Sequence, residues 1–193
     1  MSDDQMDSSA ARDHLQMVDR ILAQADDTAR LSGAPFIVWG IAGGALNVVV
    51  QLVNVEQRSP NLLWISASLL VLATAFMIWF GINEKKQERR GLLDRHIGNL
   101  FMIAWIVALI SMSFGSHIFP AWAQAAIWSL MFGAAMLNAA LLARSPIAFA
   151  GGAILIASIL VANMSLPYAG YILAAGDFIG MAGAGLALTI ARR

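Results

Sequence analysis

The sequence predicts an all-α integral membrane protein with six transmembrane helices, both termini on the cytoplasmic side, and a short amphipathic helix ahead of the first span. Three observations predict it. Hydrophobic residues make up 59% of the 193 positions and charged residues only 12%, against about a quarter charged in a soluble domain. The apolar residues gather into six stretches near the ~20 residues that a helix needs to cross a bilayer. The basic residues fall almost entirely on one side of the resulting topology.

Residues 1–34 form an acidic segment with seven acids against three arginines. From about residue 10 to 31, Leu15, Val18, Leu22, Ala25 and Ala29 recur at the three- and four-residue spacing of one helical face. Membrane-surface helices are normally basic, so this acidic one reads as a solvated cap. Leu15, Val18 and Leu22 are its candidate surface for a cytoplasmic protein partner. The start of the chain has no basic n-region followed by an apolar h-region, so it does not read as a cleavable signal peptide.

The membrane domain is expected over residues 35–193. Span one, 35–54, opens on Pro35, a residue suited to a first helical turn. Gly40, Gly44, Asn47, Gln51 and Asn54 step by four, three, four and three and share one face, glycines toward one end and amides toward the other. Span two, 61–82, carries Trp64 near its start and Trp79 near its end, as the interfacial belts require. The loop after it, 83–96, is the most basic of the chain. Span three, 97–119, ends in a polar patch with Ser111, Ser113, Ser116 and His117. Span four, 121–143, has a small-residue stripe of Ala125, Ser129 and Gly133, with Asn138 near its end. Span five, 146–163, begins at Pro146 near the Gly151–Gly152 pair. Span six, 168–190, carries Gly176, Gly180 and Ala184 four apart, and Asp177, the one formal charge inside any of these spans.

Orientation follows from Lys and Arg. With the N-terminus inside, the outer loops hold Arg58 alone and the inner segments the other eleven basic residues, a positive-inside pattern. Compactness and the lack of an organelle signal place the protein in a bacterial inner membrane. The glycine stripes, including Gly40, Gly44, Gly133, Gly176 and Gly180, are helix-packing residues. The surplus of them over what one bundle needs predicts a homo-oligomer.

With this topology the strong polar groups gather in the outer half. Asp177, Asn47, Gln51 and His117 are the candidate ligand-binding set. Three states of Asp177 are open: a neutral acid hydrogen-bonded to an amide such as Asn47, a charged group lining a wet outer cavity, or a receptor for a cation or an amine. There is no cysteine, no phosphate loop, no HExxH and no nucleophile elbow, so the chain is not expected to be an enzyme, and no cofactor or metal is implied. The single basic loop is explained by topology and does not point to nucleic acid. Two functions fit. One is transport or sensing of a proton, cation or small polar ligand through a polar outer cavity around Asp177. The other is a membrane-embedded regulatory or scaffold protein that holds a cytoplasmic partner through its N-terminal helix.

Overall fold

The computed structural model describes residues 17, 31–54, 56, 59, 61–86, 92–115 and 120–191. Among them the chain is helical with short turns, and no strand occurs. In order, the helices are α1 (Gly33–Asn54), α2 (Leu62–Lys86), α3 (Leu92–Gly115), α4 (Ala121–Leu142) and α5 (Pro146–Met164). A 3-10 turn, Leu166–Tyr168, leads into α6 (Ala169–Gly176), a π-helical segment (Asp177–Gly183) and α7 (Ala184–Ala191). Gly176, Asp177 and Ala184 all keep right-handed helical backbone, so the last three elements run on as one rod.

Among the described residues four helices are long and apolar enough to cross a membrane: Gly33–Val53, Trp122–Leu142, Pro146–Met164 and Leu166–Ile190. Helices α2 and α3 contribute shorter apolar stretches, Ala67–Phe80 and His96–Ala108. The exterior is apolar along much of the molecule. Trp64, Val71, Leu72 and Trp79 on α2, and Met102, Ile103 and Ile110 on α3, are all exposed. Exposed apolar faces of this kind are what lipid or another protein covers.

Helices α1, α4, α5 and the last rod form the tightly packed part, while α2 lies on α1 and α3 on α4. Glycine makes the close approaches. A Cβ at Gly133 or Gly152 would strike the facing helix of the α4–α5 hairpin. The last rod meets two neighbours on two faces. Gly176, Gly180 and Ala184 turn to Ser158, Ile154 and Gly151 of α5. Phe178, Ala182, Gly185 and Thr189 turn to Gly44, Gly40 and Gly33 of α1. The stripes at Gly40, Gly44, Gly133, Gly176 and Gly180 are therefore filled inside the subunit. The ground on which they predicted a homo-oligomer does not hold, because one bundle with short loops brings every stripe against a neighbour.

The hairpin between α4 and α5 is closed locally. Arg144 takes a left-handed backbone (φ 49°), and the Ser145 side chain accepts a hydrogen bond from the Ala148 amide as an N-cap, with Pro146 at the first helical position. The α1 helix begins at Gly33, two residues before the expected span, and α3 at Leu92, five residues before. Of the N-terminal segment, Met17 and residues 31–34 are described: Met17 is helical and exposed, while Leu31, the last residue of the expected helix over 10–31, is non-helical and buried in the core. The rest of that expected helix, with Leu15, Val18 and Leu22, lies outside the described residues. So does His117.

Candidate functional site

Two apolar clusters fill the packed part of the bundle. The larger contains Phe36, Trp39, Trp128, Phe132, Met136, Leu155 and Met181. Its aromatic rings form a connected group, with Trp128 and Phe132 centroids 4.9 Å apart and Trp39 within 6 Å of both (5.9 and 5.8 Å). The smaller contains Ala125, Ala126, Ala162, Ala169 and Leu173. On α1, α4, α5 and the last rod lie the buried polar residues Asn47, Gln51, Ser129, Ser158 and Asp177.

Asp177 is the centre of this layer. Its span starts at Leu166, two residues before the expected start, which puts the carboxyl about 16 Å along the rod. That is near the middle of the Leu166–Ile190 span. The residue is 1% exposed. Asn47 of α1, 2% exposed, donates from Nδ2 to Asp177 Oδ2 at 2.8 Å. Gly43, one turn before Asn47, leaves the space the carboxylate occupies. A Cβ there would lie 3.0 Å from Asp177 Oδ2 and 3.2 Å from Trp128 Nε1.

Ser129 of α4 faces the same carboxyl group without reaching hydrogen-bond geometry. Its hydroxyl is the one buried side-chain nitrogen or oxygen among the described residues that has no partner. The other hydroxyls behave differently. Ser68, Thr74, Ser111 and Thr189 donate to the carbonyl four residues back, and Ser158 to the one three residues back. That is the usual way for a helix to satisfy a hydroxyl in apolar surroundings. Ser129 departs from it.

Gln51 is one turn after Asn47 along α1 and does different work. Its Nε2 donates to Pro167 O at 2.6 Å, and its Oε1 accepts from the Gly170 amide at 3.0 Å. Both ends of the amide thus tie the start of the last rod to α1. Nearer the surface, Tyr171 donates from its hydroxyl to Glu56. Asn138, near the other end of α4, donates to its own helix at Ala134 O.

Of the residues expected to form the site, Asn47 and Asp177 are brought together. Gln51 joins the same seam but is engaged with backbone, and His117 lies outside the described residues. Gly43, Trp128 and Ser129 join the set unannounced. Gly43 carries one usable signal: Gly43, Asn47 and Gln51 step by four along α1. Ser129 reads from sequence as part of a packing stripe, and nothing in its sequence neighbours distinguishes that role from this one.

The π segment begins at Asp177 itself. A π turn widens the helix by one residue per turn and shifts the phase of the residues beyond it, and such turns are frequent at functional sites. Chemically, the arrangement holds one carboxyl group away from bulk water, with an amide donor on one oxygen and an uncommitted hydroxyl beside it. Three or more His, Cys, Asp or Glu residues grouped as metal ligands are absent among the described residues. No family model matches the chain, and neither a curated protein nor a solved structure does.

Proposed function

We propose that this is a polytopic membrane protein that transports or senses a proton, cation or small polar ligand at Asp177. One observation carries the proposal. A single carboxyl group is enclosed at mid-span, bonded to Asn47 across two helices, where the rod holding it departs from α-helical pitch. Isolated carboxyl groups in such surroundings are costly and mark ion or proton sites. As a structural tie alone, Asp177 would be replaceable by an amide.

In this proposal all six helices cross the bilayer. The N- and C-termini lie in the cytoplasm of a bacterial inner membrane, and eleven of twelve basic residues lie on that side. Asn47 holds the carboxyl group, and Gln51 fixes the outer end of the same helix pair. His117 remains a proposed lining residue of the approach. In this proposal a homo-oligomer uses a surface other than the glycine stripes, and exposed apolar faces such as those of α2 and α3 are open to it.

The test is flux or ligand response in proteoliposomes, comparing wild type with Asp177→Asn. The expected result is a variant that folds with near-native thermal stability and has lost the response. Equal responses in the two proteins would sink the proposal.

A second reading is favoured by the Gln51 contacts. Both ends of that amide are engaged with backbone, as a structural tie would have them. Under this reading the bundle is an anchor, and function follows the acidic N-terminal segment and its cytoplasmic partner. Deletion of residues 1–30 would then abolish function, and Asp177→Asn would be silent.

A further inference from the structure

We propose that the ligand of the Asp177 site is a single proton, and that Ser129 is the partner that accommodates both protonation states. The inference rests on the function proposed above and narrows it to one ligand class.

Ser129 is fully buried (0% exposed), faces Asp177, and makes no hydrogen bond. A buried hydroxyl that declines its own helix carbonyl, when four others on this chain take theirs, is available for a bond that forms in another state. A serine hydroxyl is both donor and acceptor and can rotate. When Asp177 is a carboxylate, the Ser129 hydrogen turns toward it. When Asp177 carries a proton, its O–H donates to Ser129 Oγ, and the serine hydrogen turns to the carbonyl of Ala125 one helical turn back. The carboxyl gains or loses one O–H bond, no serine bond breaks, and the charge changes by one.

The surroundings suit a proton better than a metal cation. A dehydrated alkali cation needs several oxygen ligands. Here Asn47 turns an N–H to Oδ2 and Trp128 Nε1 stands across Gly43, so among the described residues Ser129 is the one side chain placed to offer the carboxyl group an oxygen. Space is short as well, since even a methyl group on Gly43 would press on Oδ2. A proton fits such a place, and a larger cation or an amine does not.

The carboxyl group is also isolated. The elements packed around Asp177 carry no other charge: α1, α4 and α5 contain no Asp, Glu, Lys, Arg, His or Tyr. On the rod itself the titratable neighbours are Tyr168 and Tyr171, and Tyr171 is engaged with Glu56 toward the surface. Among the described residues no fixed cation holds the carboxyl group, so the site exchanges one proton without a competing partner.

The experiment is infrared difference spectroscopy on the full-length protein in lipid, following carboxyl absorption after a pH jump. Asp177→Asn assigns the band. Wild type should show a reversible carboxyl signal that sodium, potassium and tetramethylammonium chloride leave unmoved. Ser129→Ala should change the band position and slow its response by about tenfold, the scale of one lost hydrogen bond. Ser129→Thr should restore both. Three results would overturn the inference. A Ser129→Ala band identical to wild type in position and rate removes Ser129, and leaves the wider function standing. A band moved by an alkali ion or by the amine makes the ligand a cation, and again leaves that function standing. A wild-type carboxyl that never changes state at any pH removes the functional proposal with this one. Should Ser129→Ala fail to fold, the salt arm on wild type still decides between proton and cation.

Discussion

Gly180 stands so close to Gly151 that a methyl group on it would lie 2.7 Å from the Gly151 carbonyl oxygen. Gly151 is in the same position toward Gly180. Two helices meet here backbone to backbone, with Cα–H groups against carbonyls. Gly180→Leu should therefore destabilise the fold by about 3 kcal/mol or more, the upper range of overpacking. Gly180→Ala should cost about 1–2 kcal/mol, because its better helix propensity offsets part of the clash. Thermal unfolding in detergent reads this. If Gly180→Leu keeps its melting temperature and instead changes particle size, the stripe faces another copy.

The Asn47–Asp177 bond joins residues 130 positions apart in sequence. Asn47→Ala leaves the carboxyl group buried without its donor, and should lower stability by about 1–3 kcal/mol. In a double-mutant cycle with Asp177→Leu the two losses should be strongly non-additive. Additive losses would mean that the bond is incidental.

Gln51 binds Pro167 O and the Gly170 amide together. Gln51→Ala removes both bonds at the point where the rod begins. The expected outcome is faster amide hydrogen exchange confined to about residues 167–173, with little change at Asp177. Exchange spreading across the whole rod, or no change, would contradict a local clamp.

Gly43→Ala adds one methyl group and removes no polar atom. Placed 3.0 Å from Asp177 Oδ2 and 3.2 Å from Trp128 Nε1, it should push the carboxyl off Asn47. The helix gains about 1 kcal/mol of propensity, which offsets only part of the about 1–3 kcal/mol lost with the Asn47 bond, so stability should fall modestly while the Asp177 response is lost. Tryptophan fluorescence offers a second readout, since Trp128 must also move. A fully active variant would show that the carboxyl position is not critical.

The absence of cysteine makes topology simple to test. In intact cells an impermeant maleimide should label Ser59→Cys. It should label Arg144→Cys only after the membrane is opened, both native positions being exposed. The reverse pattern would invert the proposed orientation.

Much of the fold was legible because hydrocarbon imposes one demand. Backbone groups must be satisfied within each span, so long apolar runs become helices, and Pro35, Pro120 and Pro146 mark places where the chain turns. The Asn47–Asp177 pairing was legible for a related reason. Two antiparallel spans, a known rise per residue and a few polar groups leave few pairings at equal depth. Other features depend on contacts distant in sequence. The stripes at Gly40, Gly44, Gly176 and Gly180 could be read as close-packing surfaces, but not assigned to a neighbour. The π segment has no sequence signature of its own, because Asp177–Gly183 is as compatible with ordinary α pitch. Ser129 reads as packing for the same reason that it is informative: a small hydroxyl fits a tight interface whether or not it serves a carboxyl group.

The widened turn at Asp177–Gly183 gives the last rod a separable middle. Its ends are pinned, by Gln51 at Gly170 and by the Gly33–Gly185 approach. A π turn is one residue of slack, and slack in a helix can be passed along it by exchanging one carbonyl partner for the next. Moving it by a single residue past Asp177 would swing that carboxyl by about 100° around the axis, away from Asn47, while Gly170 and Gly185 kept their places. The rod thus places its one acidic side chain where the helix has slack, between two ends held fast.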